Sequence, residues 1–302
     1  MSSQTENGQF EGIWTALWTP TDENGALKKE ALDKHLDFLL SRGVNGIALC
    51  GSTGQFPYLS VATRKELLHH VVEKIGPNRV FVNISDIRQA NVKELAQHAN
   101  EEKVAAVMLL PQMYYPYEQL DLTTYFVTMA KIANRPLILY NYPECVRNRI
   151  EMETIDNVSG EVPLLGIKQS GSDFAYHRQL IDLGRKYGFN VYTGSDTRLQ
   201  EAFTLGVVGN IGGMSNALPE LIVKLYQSFK KNDLVAMKDA SDKIAAIGRL
   251  LSRVPFPVSI AALMEAKNLE PGAHKEILSP TTLYEYGELV LALRETLAQT
   301  ST

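Results

Sequence analysis

The 302-residue sequence is poor in cysteine, in excess charge of one sign and in long apolar runs. Its two cysteines, Cys50 and Cys145, form no CxxC pair, and we expect reduced thiols because a chain of this size does not depend on one disulfide. The 30 Lys and Arg residues against 34 Asp and Glu residues give a net charge of −4. Such a chain offers no polycationic surface for counterion release, which argues against nucleic-acid binding.

Membrane and metal signals are also absent from the sequence. The longest stretch without a polar side chain, residues 104–111, is far shorter than the roughly 20 residues of a membrane-spanning helix. Residues 1–12 show neither a secretory signal nor a transit peptide. The six histidines include no HExxH motif and have no cysteine partner at ligand spacing. The sequence therefore predicts a cytoplasmic protein without a metal site or a membrane partner.

Short apolar segments alternate with longer amphipathic segments, a pattern typical of repeated β-α units. Eight segments are predicted as strands: residues 13–18, 46–50, 80–84, 105–110, 137–140, 164–167, 191–193 and 207–211. Helices are predicted at residues 29–41, 63–75, 91–102, 121–132, 174–187 and 198–205. Because parallel strands buried on both faces read as continuous apolar runs, these units predict an α/β fold, a (β/α)8 TIM barrel.

A doubly wound open sheet is the alternative fold, but its GxGxxG turn is missing after the first strand, where TPTDENG stands. The strand signal stops after Pro219, and the remaining segments read as helices at residues 220–229, 233–251, 259–268 and 282–298. We therefore predict a barrel over residues 1–218. Residues 219–302 would form the helix that closes the barrel and a C-terminal extension of three helices.

Reactive side chains of a barrel enzyme lie where strands end and the following loops begin. Lys168 directly follows the apolar strand at residues 164–167, and desolvation there disfavours the ammonium form and exposes an amine suited to Schiff-base chemistry. Tyr140 ends strand five and places a phenol at the barrel mouth, although buried tyrosines often serve only in packing. The loop at residues 51–54, GSTG, either holds a carboxylate on its backbone amides or is an ordinary glycine turn.

The loops after strands seven and eight read TGSD at residues 193–196 and GNIGGMSN at residues 209–216. Both could bind hydroxyl groups or a phosphate. Asp196 favours hydroxyl groups, because a carboxylate repels an anion. The glycines at residues 209–213 are equally consistent with tight packing at the end of the barrel.

Five motifs in this order resemble the dihydrodipicolinate synthase / N-acetylneuraminate lyase family of pyruvate-dependent class I aldolases. They are GSTG at 51–54, YNYP at 140–143, IKQS at 167–170, TGSD at 193–196 and GNIGGMSN at 209–216. The resemblance implies that Lys168 forms the Schiff base and that Tyr140 transfers protons. It also implies that Ser52 and Thr53 hold the ketoacid carboxylate, and that no cofactor is needed beyond the covalent imine.

The resemblance further implies a substrate-binding set and a homodimer or homotetramer. The set comprises Gly51, Tyr114, Tyr115, Tyr142, Ser170, Gly194, Asp196, Ile211, Gly212 and Gly213. One of the two tyrosines Tyr114 and Tyr115 matches the tyrosine that family members place in the site of a neighbouring subunit.

Two departures from the family pattern argue against synthesis of dihydrodipicolinate. Such synthases carry an arginine two residues after the proline of YNxP, where this chain has Cys145, with Arg147 two residues further on. They also have a tyrosine pair after the proline of the strand-four loop, where Gln112 and Met113 stand.

Two further departures separate the chain from N-acetylneuraminate lyases, which have Glu and Ser where Thr197 and Gly213 stand. The nearest resemblance is to 2-keto-3-deoxygluconate aldolases. The sequence therefore predicts reversible aldol cleavage of a 2-keto-3-deoxy sugar acid to pyruvate and an aldehyde. The alternatives are an N-acetylneuraminate lyase, a dihydrodipicolinate synthase-like enzyme, a sugar-acid dehydratase using the same Schiff base, and a non-catalytic ketoacid-binding protein.

Overall fold

The computed structural model describes residues 8–300, so most of the polar segment at residues 1–12 lies outside the described residues. Eight parallel strands pair in chain order, and the last pairs with the first to close a barrel. The strands are β1 (Gly12–Ala16), β2 (Gly46–Leu49), β3 (Val80–Asn83), β4 (Ala106–Leu109), β5 (Leu137–Asn141), β6 (Leu164–Gln169), β7 (Asn190–Thr193) and β8 (Gly209–Gly212). The closed topology confirms the predicted (β/α)8 barrel and rules out an open sheet.

Helices follow the strands and continue after the barrel. Those beside the barrel are α1 (Lys29–Ser41), α2 (Val61–Ile75), α3 (Gln89–Glu101), α4 (Gln119–Ala133), α5 (Met152–Ser159), α6 (Phe174–Tyr187), α7 (Leu199–Leu205) and α8 (Pro219–Lys230). The C-terminal extension consists of α9 (Leu234–Leu251), α10 (Val258–Ala266) and α11 (Pro280–Thr300). The sequence analysis predicted no helix between β5 and β6, where α5 lies. Within residues 8–300, no helix combines the length and the apolar character needed to cross a membrane.

Local side chains set several helix ends. Ser60 caps α2 by accepting a hydrogen bond from the backbone N–H of Thr63, and Asp173 caps α6 in the same way through the N–H of Tyr176. Gly188 ends α6 in the left-handed region at φ 77°, a conformation that favours glycine. Asp173 and Gly188 thus bound α6 at residues 174–187, the range predicted from the sequence.

Aromatic side chains fill the barrel interior toward the amino-terminal ends of the strands. The rings of Trp14 and Phe81 stack with centroids 3.6 Å apart, and the ring of Tyr192 meets Phe81 edge-on at 6.2 Å. Phe10, which precedes β1, packs against both Trp14 and Phe81. A β-carbon at Gly46 would overlap the Trp14 ring, so β2 requires glycine there. These rings fill the barrel interior at this end.

The loop after β8 is held against β1 and α1 by Asn216. Its amide nitrogen donates to the carbonyl oxygens of Ala16 and Gly213, and its Oδ1 accepts from the N–H of Trp18 at 2.9 Å. His35 of α1 lies with its Nε2 2.8 Å from the Asn216 carbonyl oxygen. Burial lowers the pKa of His35 to about 4, against the partial opposition of this hydrogen bond.

The shifted pKa of His35 predicts a specific loss of stability in acid. Between its ordinary value near 6.5 and about pH 4, the unfolded chain binds a proton that folded His35 does not. Stability should therefore fall as pH decreases through this window, by at most about 3 kcal/mol. Urea unfolding of the wild type and of His35→Gln at pH 7 and pH 4.5 measures this effect. The variant should lose less stability than the wild type, and equal losses would contradict the assignment.

Candidate active site

A cavity of about 450 Å³ opens at the carboxyl ends of the strands. Nine of the residues predicted for the site line it: Thr53, Tyr140, Tyr142, Lys168, Ser170, Gly194, Asp196, Ile211 and Gly213. The opposite wall comes from residues 248–260, which contain the end of α9, the start of α10 and the segment between them. The cavity is therefore built jointly by the barrel and by the C-terminal extension.

Lys168 lies at the end of β6 with only 3% of its surface exposed. The strand register pairs it with Tyr140 on β5, and its Nζ lies 4.1 Å from the centre of the Tyr140 ring. Among residues 8–300, no carboxylate or other acceptor forms an ion pair or hydrogen bond with this Nζ. The amino group is thus held over an aromatic face, free to react with a molecule in the cavity.

Tyr140 connects this lysine with the loop after β2. Its hydroxyl oxygen lies 3.1 Å from Ser52 Oγ, and its ring stacks on that of Tyr142 with centroids 6.2 Å apart. Burial, aided by the adjacent Cys145, raises the pKa of Tyr142. Ser52 is outside the cavity lining, and it reaches the site through Tyr140. A chain of hydroxyl groups therefore leads from the cavity to the β2 loop.

Asp196 is a buried carboxylate on the other side of the cavity. Its Oδ2 accepts hydrogen bonds from the backbone N–H groups of Gly213 and Met214, each at 2.9 Å. Its Oδ1 has no hydrogen-bond partner among the described residues. Burial raises the pKa of Asp196, while the two N–H groups, the neighbouring Asn210 side chain and the charge of Lys168 act in the opposite direction. A buried oxygen without a partner beside a cavity is suited to bind a ligand hydroxyl group.

Glycines allow these groups to approach one another. A β-carbon at Gly194 would overlap Ser170 Oγ, and one at Gly213 would lie 3.0 Å from Thr53 Oγ1. Gly212 does not line the cavity but supports Asp196, because a β-carbon there would overlap Asp196 Oδ1. At Gly51, by contrast, a β-carbon would meet nothing within 4 Å.

The difference in space around Gly212 and Gly51 predicts that alanine destabilises the protein at the first position and not at the second. Gly212→Ala should lower the free energy of unfolding by about 1–3 kcal/mol, because Asp196 must move to admit the methyl group. Gly51→Ala should change it by no more than about 0.5 kcal/mol. Denaturant unfolding of both variants checks the pair. Similar destabilisation in the two variants would show that the approach of Asp196 to β8 is not the cause.

Tyr114 and Tyr115 are not brought to the cavity of their own chain. They are 70% and 63% exposed, and their rings contact each other edge-to-face with centroids 4.9 Å apart. Tyr114 has φ 79°, a rare conformation for a residue with a side chain. The match of one of them to a neighbouring subunit's site stays a prediction.

The sequence analysis missed the wall of the cavity that the C-terminal extension supplies. Five apolar side chains dominate this wall: Leu251, Val254, Pro255, Phe256 and Ile260. Ser195 is a further missed lining residue. The only available signal was the run RVPFP at residues 253–257, which interrupts the helical pattern of the extension. Nowhere in residues 8–300 do three His, Cys, Asp or Glu side chains come together as a metal site would require.

Comparison with known proteins decides the family. The model of the dihydrodipicolinate synthetase family matches residues 9–296. The chain belongs to this family. Members are lyases that use a lysine Schiff base with pyruvate and no external cofactor, and they bind small ketoacids.

Relatives within and around the dihydrodipicolinate synthetase family cover nearly the whole chain. The 4-hydroxy-tetrahydrodipicolinate synthase of Staphylococcus carnosus (strain TM300) is 29% identical over 294 residues, 93% of this chain and 99% of the relative. A DapA-like lyase of Thermococcus onnurineus (strain NA1), described as uncharacterized, is 28% identical over 294 residues, with 96% and 99% covered. The solved structure of sialic acid aldolase from Ruminococcus gnavus shares the fold, with a TM-score of 0.86, 20% identity and 97% and 99% of the two chains covered.

Proposed function

We propose that this family member cleaves a 2-keto-3-deoxy sugar acid reversibly to pyruvate and an aldehyde. The observation that carries the proposal is the buried Lys168, whose Nζ faces the ring of Tyr140 at 4.1 Å inside a 450 Å³ cavity. Lysine is the side chain that forms imines with ketoacids, and the position of Lys168 inside the cavity brings its amino group to a bound ketoacid.

The reaction follows from the positions of Lys168 and Tyr140. Nζ attacks C2 of the ketoacid and water leaves, so that an iminium forms. Tyr140 removes the proton from the C4 hydroxyl group, the C3–C4 bond breaks, and its electron pair moves into the iminium to give an enamine. The aldehyde leaves, C3 takes up a proton, and hydrolysis by water releases pyruvate and the free lysine. The hydrogen bond between the hydroxyl groups of Tyr140 and Ser52 gives the phenol a second oxygen with which to exchange the proton.

The polar groups of the cavity support a hydroxylated substrate with one carboxylate. Hydroxyl groups of Ser170, Ser195 and Thr197 line the cavity on the side of Asp196. Among the described lining residues, Lys168 and Asp196 are the only charged ones. In the iminium the positive charge of Lys168 lies next to the ketoacid carboxylate, so no second lining cation is left to balance a distal phosphate or second carboxylate. A neutral polyol chain therefore fits this cavity better than a second anionic group.

Synthesis of 4-hydroxy-tetrahydrodipicolinate is the second candidate function, because the Staphylococcus carnosus relative carries that name. Its aldehyde substrate, aspartate semialdehyde, brings a second carboxylate to the site. Cys145 stands where such synthases have arginine, and Arg147 is exposed and outside the cavity lining. Assays with pyruvate and aspartate semialdehyde, beside assays with 2-keto-3-deoxygluconate, distinguish the two candidates. Faster turnover of the semialdehyde would overturn the preference.

Asp196→Asn should separate sugar-acid recognition from imine formation. The amide oxygen can still accept from the N–H groups of Gly213 and Met214, but an NH₂ group replaces the unpartnered acceptor Oδ1. We expect kcat/KM for the sugar acid to fall by roughly tenfold or more, because a substrate hydroxyl group loses its acceptor. The pyruvate concentration that gives half-maximal imine trapping should change by less than about twofold. If imine trapping weakened as much as kcat/KM for the sugar acid, Asp196 would be maintaining the shape of the whole site and not binding the sugar acid alone.

The direct test of the proposed function is borohydride reduction of the protein in the presence of pyruvate. Reduction of an imine leaves a stable pyruvyl adduct, which intact mass detects and peptide mapping locates. The expected result is one adduct per chain, on Lys168. An adduct on another lysine, or no adduct, would overturn the proposal. Product analysis with the sugar acid then separates an aldolase, which releases pyruvate, from a dehydratase, which does not.

A further inference from the structure

A segment of the C-terminal extension crosses the carboxyl ends of β1 and β2. This strap, residues 271–276, lies between α10 and α11. The indole N–H of Trp18 donates to the Pro271 carbonyl oxygen at 2.6 Å, and the Ala273 N–H donates to the Thr21 carbonyl oxygen at 2.8 Å. Gly272 has φ 78°, and a β-carbon there would lie 2.5 Å from the same Thr21 oxygen. The strap is therefore fixed tightly against the chain that leaves β1.

Lys275 of the strap is half-buried and points to the barrel. Its Nζ donates to the Thr19 carbonyl oxygen at 2.6 Å and to Gln55 Oε1 at 3.0 Å, and it lies 5.0 Å from the centre of the Trp18 ring. Burial lowers the pKa of Lys275 to about 8, and the charge of Glu276 opposes this shift. At pH 7 the side chain is thus still mostly the ammonium ion, which donates stronger hydrogen bonds than a neutral amine.

Glu276 completes the contact with Gln55. The amide nitrogen of Gln55 donates to both carboxylate oxygens of Glu276, at 2.7 and 3.0 Å. Both ends of the Gln55 side chain are therefore occupied by neighbouring residues of the strap. Gln55 itself is 2% exposed and adopts φ 58°, an unusual conformation for a residue other than glycine. Such a conformation persists where surrounding contacts determine it.

Gln55 ends the loop that carries Ser52 and Thr53. Its backbone N–H donates to the Ser52 carbonyl oxygen at 3.1 Å. Gly54, the residue before it, lies so close to β1 that a β-carbon would be 2.7 Å from the Leu17 carbonyl oxygen. Through these contacts the position of Gln55 sets the position of the loop at the cavity.

We propose that Lys275 and Glu276 are positioning residues that act through Gln55 to hold Ser52 and Thr53 in place for the ketoacid carboxylate. The inference rests on the proposed function, together with the role that the family resemblance implies for Ser52 and Thr53 in holding the ketoacid carboxylate. It assigns part of the ketoacid affinity to a strap more than 200 residues away in the chain, since Gln55 and Glu276 are 221 positions apart. We call the contacts of Lys275 and Glu276 with Gln55 the clamp. Because the clamp touches the loop and not the reacting atoms, its loss should raise the ketoacid concentration required for imine formation without abolishing the chemistry.

Borohydride trapping at varied pyruvate concentration tests the clamp without any need for the natural aldehyde. The measured quantity is the pyruvate concentration that gives half-maximal adduct on Lys168. Gln55→Glu places a carboxylate against that of Glu276, and should raise this concentration by roughly tenfold. The double variant Gln55→Glu with Glu276→Gln exchanges the amide and the carboxylate, so that one N–H donor again faces a carboxylate between the two positions while position 55 still accepts from Lys275. It should return to within about twofold of the wild type.

Two single variants serve as comparisons. Lys275→Met keeps the aliphatic stem and removes both hydrogen bonds, and should also raise the half-maximal concentration by roughly tenfold. Glu270→Gln removes an exposed ion pair with Lys28 just before the strap and should leave the concentration unchanged. Thermal unfolding of each variant shows which ones are folded.

The outcomes separate the clamp from the proposed function. Two results would overturn the clamp: a double variant that needs as much pyruvate for half-maximal adduct as Gln55→Glu alone, or a folded Lys275→Met that needs no more than the wild type. In either case an adduct on Lys168 would leave the proposed function standing. No adduct on Lys168 in the wild type would overturn both. If Lys275→Met fails to fold, the double variant Gln55→Glu with Glu276→Gln still tests the clamp. Recovery of the half-maximal pyruvate concentration there depends on the contact between these two side chains.

Discussion

Lys168→Ala is expected to lower kcat for aldol cleavage by at least about 10⁴-fold and to abolish the borohydride adduct. Without the amine no iminium forms, and the electrons of the C3–C4 bond have no acceptor. Among the residues lining the described cavity, no other lysine can take over the reaction. Pyruvate release, followed by its reduction with lactate dehydrogenase, measures the loss.

The matched control for this lysine is Lys238→Ala. Lys238 is 68% exposed, and its only ion pair within residues 8–300 is with Asp242 on the same helix, so its removal should leave both turnover and adduct unchanged. Unfolding curves of the two variants show whether the barrel is intact. Substantial aldol cleavage by a folded Lys168→Ala protein would mean that the chemistry proceeds without this imine.

Tyr140→Phe is expected to lower kcat by about 10²- to 10⁴-fold while imine trapping on Lys168 persists. The substitution keeps the ring that stacks on Tyr142 and faces the lysine, and removes only the hydroxyl group bonded to Ser52. Proton removal from the C4 hydroxyl group then has no base, although nucleophilic attack by the amine remains possible. Single-turnover kinetics on the sugar acid, combined with trapping, separates the two steps.

Two neighbouring substitutions calibrate the effect of Tyr140→Phe. Tyr142→Phe removes a hydroxyl group from the same stack without touching the bond to Ser52, and should cost less than about tenfold in kcat. Ser52→Ala removes only the second oxygen of the relay and should have an intermediate effect. If Tyr140→Phe retained kcat within about threefold, another group would have to carry the proton.

Much of the barrel was predictable because its strands are buried on both faces. All five residues of β1 are buried, and so are the four of β4, which is why each reads as an apolar run. The predicted first strand, residues 13–18, is two residues too long at its carboxyl end. There the Trp18 N–H bonds to Asn216 Oδ1, a partner supplied by the loop after β8. The reactive role of Lys168 was predicted from the same pattern, because a lysine buried next to an apolar strand loses its hydration unless it has a partner or a function.

Features that depend on distant parts of the chain were not predictable in this way. Helix α5, with eight residues, was not predicted, although α7, with seven, was. The clamp on Gln55 joins segments 221 positions apart and carries no local signal. The apolar wall at residues 248–260 left only the run RVPFP as a sign of its presence. Tyr114 and Tyr115 were predicted from the family resemblance alone, and their place in a neighbouring site concerns an assembly of several chains.

The strap places the completion of the site well after the synthesis of its reactive lysine. Lys168 leaves the ribosome well before Glu276, and at about 5–20 residues per second the 108 residues between them take roughly 5–20 s to translate. During this interval the reactive lysine exists in a growing chain that lacks both the clamp and the outer wall. Newly made protein should therefore acquire its full affinity for ketoacids only when the strap has been translated, and a chain that ended before residue 248 would carry the lysine without the outer wall and without the clamp.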